Sequence, residues 1–173
     1  MYYQYPIEQV ATSTQTRFQS GFARMATYLL PQLEDVVYEP SSQGLKILAG
    51  DECALATPAE ILQQVYGNDL RLTTPRVRLL RDAAGIKEPV MNVRVKVRSS
   101  DVQEVVDDLA RRDATPQEVD YRPSAAVIRA QATLRKLLRY QQTLAAMTEN
   151  TAEVWLWLSH YSPVGTGSDG DAA

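Results

Sequence analysis

Cysteine and histidine are almost absent from this 173-residue chain, which carries Cys53 and His160 and no others. A single thiol excludes an internal disulfide and any cysteine-rich zinc site, and nucleophile–histidine catalysis would have to use the one imidazole. No stretch approaches the roughly 18 apolar residues needed to span a bilayer, and the first thirty residues lack the basic-then-apolar order of a signal peptide. A soluble, cytoplasmic protein with no membrane association is expected. Paired acid–base or nucleophile constellations are also missing, so the expectation is a binding protein without catalytic residues, metal or cofactor.

What remains is ordinary for a soluble globular protein: 45% hydrophobic residues, 23% charged, 8 Gly and 9 Pro. The length allows one large domain or two small ones. Residues 165–173 contain nothing large and apolar to anchor them, and are expected to form a disordered tail. Charge is unevenly spread. Residues 1–70 hold three Lys/Arg against eight Asp/Glu, whereas residues 71–143 hold fifteen against nine. An anionic partner would therefore meet the second half, unless the asymmetry is only a solvated surface.

Periodicity yields the same series of elements twice. Met1–Val10 is read as a strand that Pro6 restricts to an edge or a start. From Thr16, Phe18, Phe22, Met25, Ala26, Leu29 and Leu30 recur at helical spacing until Pro31. Val36–Tyr38 and Leu45–Leu48 flank a turn, and Thr57-Pro58 offers a helix start for a stripe of Ile61, Leu62 and Val65 that Gly67 closes. Residues 70–80 return to extended character. After a short break at 82–87, Val93, Val95 and Val97 alternate with Asn92, Arg94, Lys96 and Arg98. A helix with Val102, Val105, Val106 and Leu109 follows, then strands at 119–121 and 126–132, a helix over 134–147 and an alternating strand over 154–161. Two β-α-β-β-α-β units of about eighty residues predict an α+β protein. Each unit would be ferredoxin-like, a four-stranded antiparallel sheet with two helices on one face.

Lys87-Glu-Pro-Val-Met-Asn-Val-Arg-Val-Lys-Val97 resembles the opening of the C-terminal domain of elongation factor G, written Glu-Pro-Ile-Met-x-Val-x-Val. Val102–Arg112 is similar to that family's Gly-x-Val-x-x-Asp-Leu-x-x-Arg-Arg helix. Tyr140–Thr148 and Ser159-His-Tyr-Ser-Pro-Val164 resemble its Tyr-Ala-x-x-Leu-Arg-x-x-Thr segment and its Ser-His-Tyr-x-x-Val ending. Residues 16–80 resemble the family's third domain through Phe22–Leu29, Lys46–Gly50 and Pro75-Arg-Val-Arg78. The Gly-Met-Gly-Glu-Leu-His-Leu-Glu motif of that domain is largely replaced by Gly50-Asp-Glu-Cys-Ala-Leu-Ala56.

The resemblance implies a first domain at 1–81 like the third domain of elongation factor G and a second at 82–164 like its C-terminal, fifth domain. They join almost directly, as in the translational GTPases BipA and LepA, rather than through an inserted fourth domain. No Gly-x-x-x-x-Gly-Lys-Ser/Thr loop occurs in the chain, so neither GTP binding nor hydrolysis is expected. Met1 and the family-like ending suggest an independent gene product, with an excised piece of a larger GTPase as the other reading. By resemblance, the partner would be the ribosome, through ribosomal RNA or protein, in a translation-related role.

The residues expected to carry binding are Arg94, Lys96 and Arg98 on one strand, Arg129 on its neighbour, and Trp155 and Trp157 on the last strand, all on the sheet face without helices. Cations between flat rings can neutralise phosphates and stack on bases. The same face could instead be covered by the first domain or by another protein, including a second copy through Trp155 and Trp157. His160 is expected to be structural, Cys53 to be small and buried, and Asp107-Asp108 to be helix surface. Glu149-Asn150 replaces a Gln-Gly turn of the family.

Overall fold

The computed structural model describes residues 3–165; of the tail expected at 165–173, all but Gly165 lies outside them. Two antiparallel sheets follow one another along the chain, with helices packed on one face of each, as the repeated element order predicts. The first unit runs β1 (Ile7–Ser13), α1 (Gln19–Leu29), β2 (Val36–Ser41), β3 (Gly44–Ala49), α2 (Ala56–Tyr66), β4 (Leu70–Leu72) and β5 (Arg76–Val77). Its sheet order is β2-β3-β1-β4, with β5 also on β1. The second runs β6 (Leu80–Asp82), β7 (Gly85–Arg98), α3 (Val102–Arg111), β8 (Thr115–Tyr121), β9 (Ala125–Thr133), α4 (Leu134–Leu137), α5 (Tyr140–Met147) and β10 (Glu153–Pro163), with sheet order β10-β7-β9-β8. Both orders place the first long strand of the unit, β1 or β7, in the interior, the ferredoxin-like arrangement.

Pro6 stands just before β1, where its missing N–H breaks no ladder, and β1 itself is central. The extended stretch expected over 70–80 is two short strands on β1, interrupted at Pro75. Thr73 mends the gap: its N–H donates to Val10 O at 3.0 Å, and its hydroxyl accepts the Val10 N–H at 3.0 Å. The break expected at 82–87 is instead a tight hairpin, with Leu80 opposite Lys87 and Asp82 opposite Gly85.

Several expectations about the helices need correction. In α1 the buried residues are Phe22, Ala23 and Ala26, with Leu30 just beyond, while Phe18, Met25 and Leu29 are exposed. Small Ala23 and Ala26 let the helix lie close on the sheet, which turns the larger side chains outward. Helix α2 starts at Ala56, after a 3-10 turn at Cys53–Leu55 to which Asp51 lends an acceptor for the Ala54 N–H. Thr57 is therefore inside the helix, and Val65 is exposed.

The single helix expected over 134–147 is two. Arg139 takes a left-handed φ of 60°, and its N–H donates to the Glu52 carboxylate of the first unit at 2.7 Å rather than to a helical carbonyl. This redirection brings Leu134 and Leu137 of α4 and Tyr140 and Leu144 of α5 all into the core. Glu149 and Asn150 are also left-handed, φ 53° and 60°, so the turn keeps a shape that glycine would adopt more easily.

Asp108 is not helix surface. It is buried on α3, with its carboxylate 2.8 Å from Arg112 Nε and 3.4 Å from Arg111. Arg112 also donates to Lys136 O and Thr143 Oγ1, and its guanidinium lies 5.1 Å from the Tyr140 ring centroid. Tyr140 is fully buried and its hydroxyl has no hydrogen-bond partner among the described residues. Burial first, then the Asp108 charge, pushes that phenol far above its ordinary value. An unsatisfied buried hydroxyl costs about 1–3 kcal/mol. Tyr140→Phe is therefore expected to leave stability unchanged or raise it by about 1 kcal/mol in urea unfolding, and a clear loss would reveal a partner for the hydroxyl.

Candidate partner-binding face

The alternation in β7 decides which side chains reach solvent. Val93, Val95 and Val97 are buried under α3 and its neighbours, leaving Arg94, Lys96 and Arg98 on the helix-free side. In β10, Val154, Leu156 and Leu158 pack on the core, which turns Trp155 and Trp157 the other way. In β9, Ala126, Ile128, Ala130 and Ala132 face the helices and Arg129 faces out. All six side chains expected to share a face do share it.

Register then arranges them in rows across the strands. Trp155 lies opposite Arg94, Arg94 opposite Arg129, and Arg129 opposite Glu118 of β8. The Arg94 guanidinium sits 5.1 Å from the Trp155 ring centroid, a cation–π contact. One row along, Trp157 lies opposite Asn92 and Asn92 opposite Gln131, whose amide donates to Asn92 Oδ1 at 2.8 Å. On the other side, Glu153 lies opposite Lys96. Trp155 and Trp157 are 42% and 48% exposed, so the first unit does not cover them.

The face is less positive than the sequence suggests. Lys96 Nζ is 2.9 Å from Glu153, Arg98 Nε is 2.9 Å from Asp101, and Arg129 is paired with Glu118. Hydrogen bonds from Arg98 and then Ser100 hold the Asp101 carboxyl below its ordinary range. Asp120 similarly takes up Arg122 at 3.2 Å. These acids were the part of the site that sequence reasoning missed. Pairing across the 121–126 turn could have found Glu118 and Asp120, since counting outward from the turn sets them near Arg129 and Val127. Exposed ion pairs of this kind are worth about 0–1 kcal/mol, so each cation can still be drawn to a phosphate or carboxylate that offers more.

Residues singled out elsewhere do not join this face. His160 is exposed just past a β-bulge in β10, its Nδ1 3.1 Å from Ser159 Oγ. Cys53 is exposed, not buried, at the junction of the units, where it meets the Gln141 side chain. Partial burial, followed by the Asp51 and Glu52 charges, raises its thiol above the ordinary value. It lines a cleft of about 330 Å³ with Glu52, Ala56, Arg139, Gln141 and Ala145. No group of three or more His, Cys, Asp or Glu that could hold a metal occurs among the described residues, and no helix is long and apolar enough to cross a membrane.

Two ferredoxin-like layers in tandem, the second with an open face of paired cations and tryptophans, define an architecture that known proteins share. A crystal structure of a protein from Thermus thermophilus superposes with a TM-score of 0.67 over 93% of this chain and 41% of the other, at 14% identity. Residues 85–168 match the family described as elongation factor G C-terminus. Elongation factor G of Granulibacter bethesdensis is 35% identical over 79 residues, and that of Gluconobacter oxydans 34% over 79 residues. Each alignment covers 46% of this chain and 11% of the relative. The second unit thus resembles the C-terminal region of elongation-factor-G-like proteins, and the chain spans only a small part of the length of these relatives.

Proposed function

We propose that this chain associates with the ribosome in a translation-related, cytoplasmic role, as a non-catalytic module that contacts ribosomal RNA or a ribosomal protein through Arg94, Lys96, Arg98, Arg129, Trp155 and Trp157. The match of residues 85–168 to the elongation factor G C-terminus carries this reading. The row Trp155–Arg94–Arg129 supplies the chemistry, a ring for stacking beside two guanidiniums for phosphate. The proposed units are residues 1–81 and 82–164, with nothing in either assigned to nucleotide hydrolysis or to a cofactor.

Because Lys96, Arg98 and Arg129 already have acidic neighbours and Arg94 lies against the Trp155 ring, binding is expected to rest on the tryptophans as much as on charge. The salt dependence should accordingly be shallower than four free cations would give. Co-sedimentation with ribosomes at low and moderate salt tests the proposal. Co-migration at low salt, with partial retention at moderate salt, is expected; absence from the pellet at both would end it. A second reading, a protein-interaction module without ribosome contact, is favoured by the charge balance of the face. It predicts no ribosome binding at either salt and a protein partner that is lost with Trp155 and Trp157.

A further inference from the structure

The outermost strands of the two sheets differ in how they are protected against pairing with another chain. A bare strand edge presents unpaired N–H and C=O groups, and soluble proteins blunt such edges with proline, charge, bulges or brevity. Strand β2 carries Glu39 and Pro40, and β4 and β5 are only three and two residues long. Strand β8 has Pro116, a register irregularity between Pro116 and Glu118, and the acids Glu118 and Asp120. Strand β10 has none of these between Val154 and Leu158. It is eleven residues long, regular from Glu153 to Leu158, and among the described residues it ladders only with β7.

The stretch along this bare edge reads Val154-Trp-Leu-Trp-Leu158, which is nearly the same in reverse. A near-palindrome is self-complementary in antiparallel pairing, because each side chain finds its like across a two-fold axis. We propose that β10 pairs edge to edge with β10 of a second copy of this chain, about an axis at Leu156, and extends the two sheets into one.

The register follows from the alternation of faces. An axis normal to the sheet keeps the open face with the open face, so only residues on the same side can be opposed. Centred on Leu156, the pairing sets Trp155 against Trp157 of the partner subunit, Val154 against Leu158 of the partner subunit, and Glu153 against Ser159 of the partner subunit. Centred on Trp155, it would set Glu153 against Trp157 of the partner subunit. Centred on Trp157, it would set Trp155 against Ser159 of the partner subunit and run into the bulge between Leu158 and His160. Only the Leu156 axis pairs all four indoles within the regular segment and keeps the carboxylates away from them. The interface has two-fold closure, so each edge is used up in a dimer and no fibre follows.

This inference stands apart from ribosome binding and is tested without it, by sedimentation velocity on the full chain. The wild type is expected to be a dimer. Trp155→Lys combined with Trp157→Lys opposes like charges and should give a monomer. Trp155→Glu combined with Trp157→Lys removes the same two indoles but opposes unlike charges, so it should restore the dimer. Far-UV circular dichroism confirms that both variants keep their sheets. A monomeric wild type, an open-ended polymer, or two double variants with the same oligomeric state would each overturn the proposal.

Discussion

Gly44→Ala is expected to destabilise the first unit by about 3–5 kcal/mol, combining a strained backbone with an overpacked site. Gly44 ends the turn of the β2–β3 hairpin with φ 131°, a conformation that side chains of L residues rarely adopt. A Cβ there would lie 2.3 Å from the Ala11 carbonyl oxygen and 2.8 Å from Thr12 Cγ2. The first obstacle is backbone of the central strand β1, which is held on both sides by ladders and cannot yield. Gly21→Ala is the internal control. Gly21 lies within α1 with nothing within 4 Å of the added methyl, so the change should stabilise by about 0.5–1 kcal/mol through helix propensity. Urea unfolding followed by circular dichroism reads both. Equal effects would mean that the hairpin is not built on β1 as described.

Asp108→Ala is expected to cost about 2–4 kcal/mol in the second unit. The carboxylate anchors Arg112, whose side chain is only 19% exposed and also holds Lys136 O and Thr143 Oγ1 over the Tyr140 ring. Removing Asp108 leaves that guanidinium half-buried without its counter-charge and loosens the contact between α3 and α5. Asp108→Asn keeps the volume and one acceptor, and should lose less. The tryptophan fluorescence of β10 follows unfolding of this unit in urea. A loss below about 1 kcal/mol for Asp108→Ala would show that Arg112 finds water as readily as it finds the acid.

Much of the fold is legible in the residues. The alternation of Val93, Val95 and Val97 with Arg94, Lys96 and Arg98 fixes one wet and one dry face without any tertiary information, and so does Val154–Leu158. The repeated order of elements leads to both sheets. What is not legible is set by contacts distant in sequence. A single left-handed residue, Arg139, breaks an otherwise continuous helical pattern because Glu52, 87 residues away, takes its N–H. The apolar run of α1 gives a stripe but not its rotation, which the fit of Ala23 and Ala26 on the sheet decides. Phe18 and Tyr28 consequently end up 80% and 86% exposed.

The site shows the same division. That Arg94 and Trp155 neighbour each other follows from topology alone, once the last strand is placed beside the first strand of its unit. The acids were harder to foresee because each is a partner in space: Glu153 from β10, Glu118 from β8 and Asp101 from the turn before α3. Sequence charge counts describe a basic half, whereas geometry gives a face on which Lys96, Arg98 and Arg129 are locally balanced and the rings of Trp155 and Trp157 stay uncovered.

Quantitative ribosome binding by paired variants tests the central claim most directly. Trp155→Ala with Trp157→Ala removes the two rings from the open face of the second unit, and Phe18→Ala with Tyr28→Ala removes two still more exposed rings at and just before α1. Stacking contributes roughly 1–3 kcal/mol per base, so the first pair should weaken binding at least tenfold while the second leaves it within twofold. Equal loss in both pairs, or full retention in the tryptophan pair, would contradict the account.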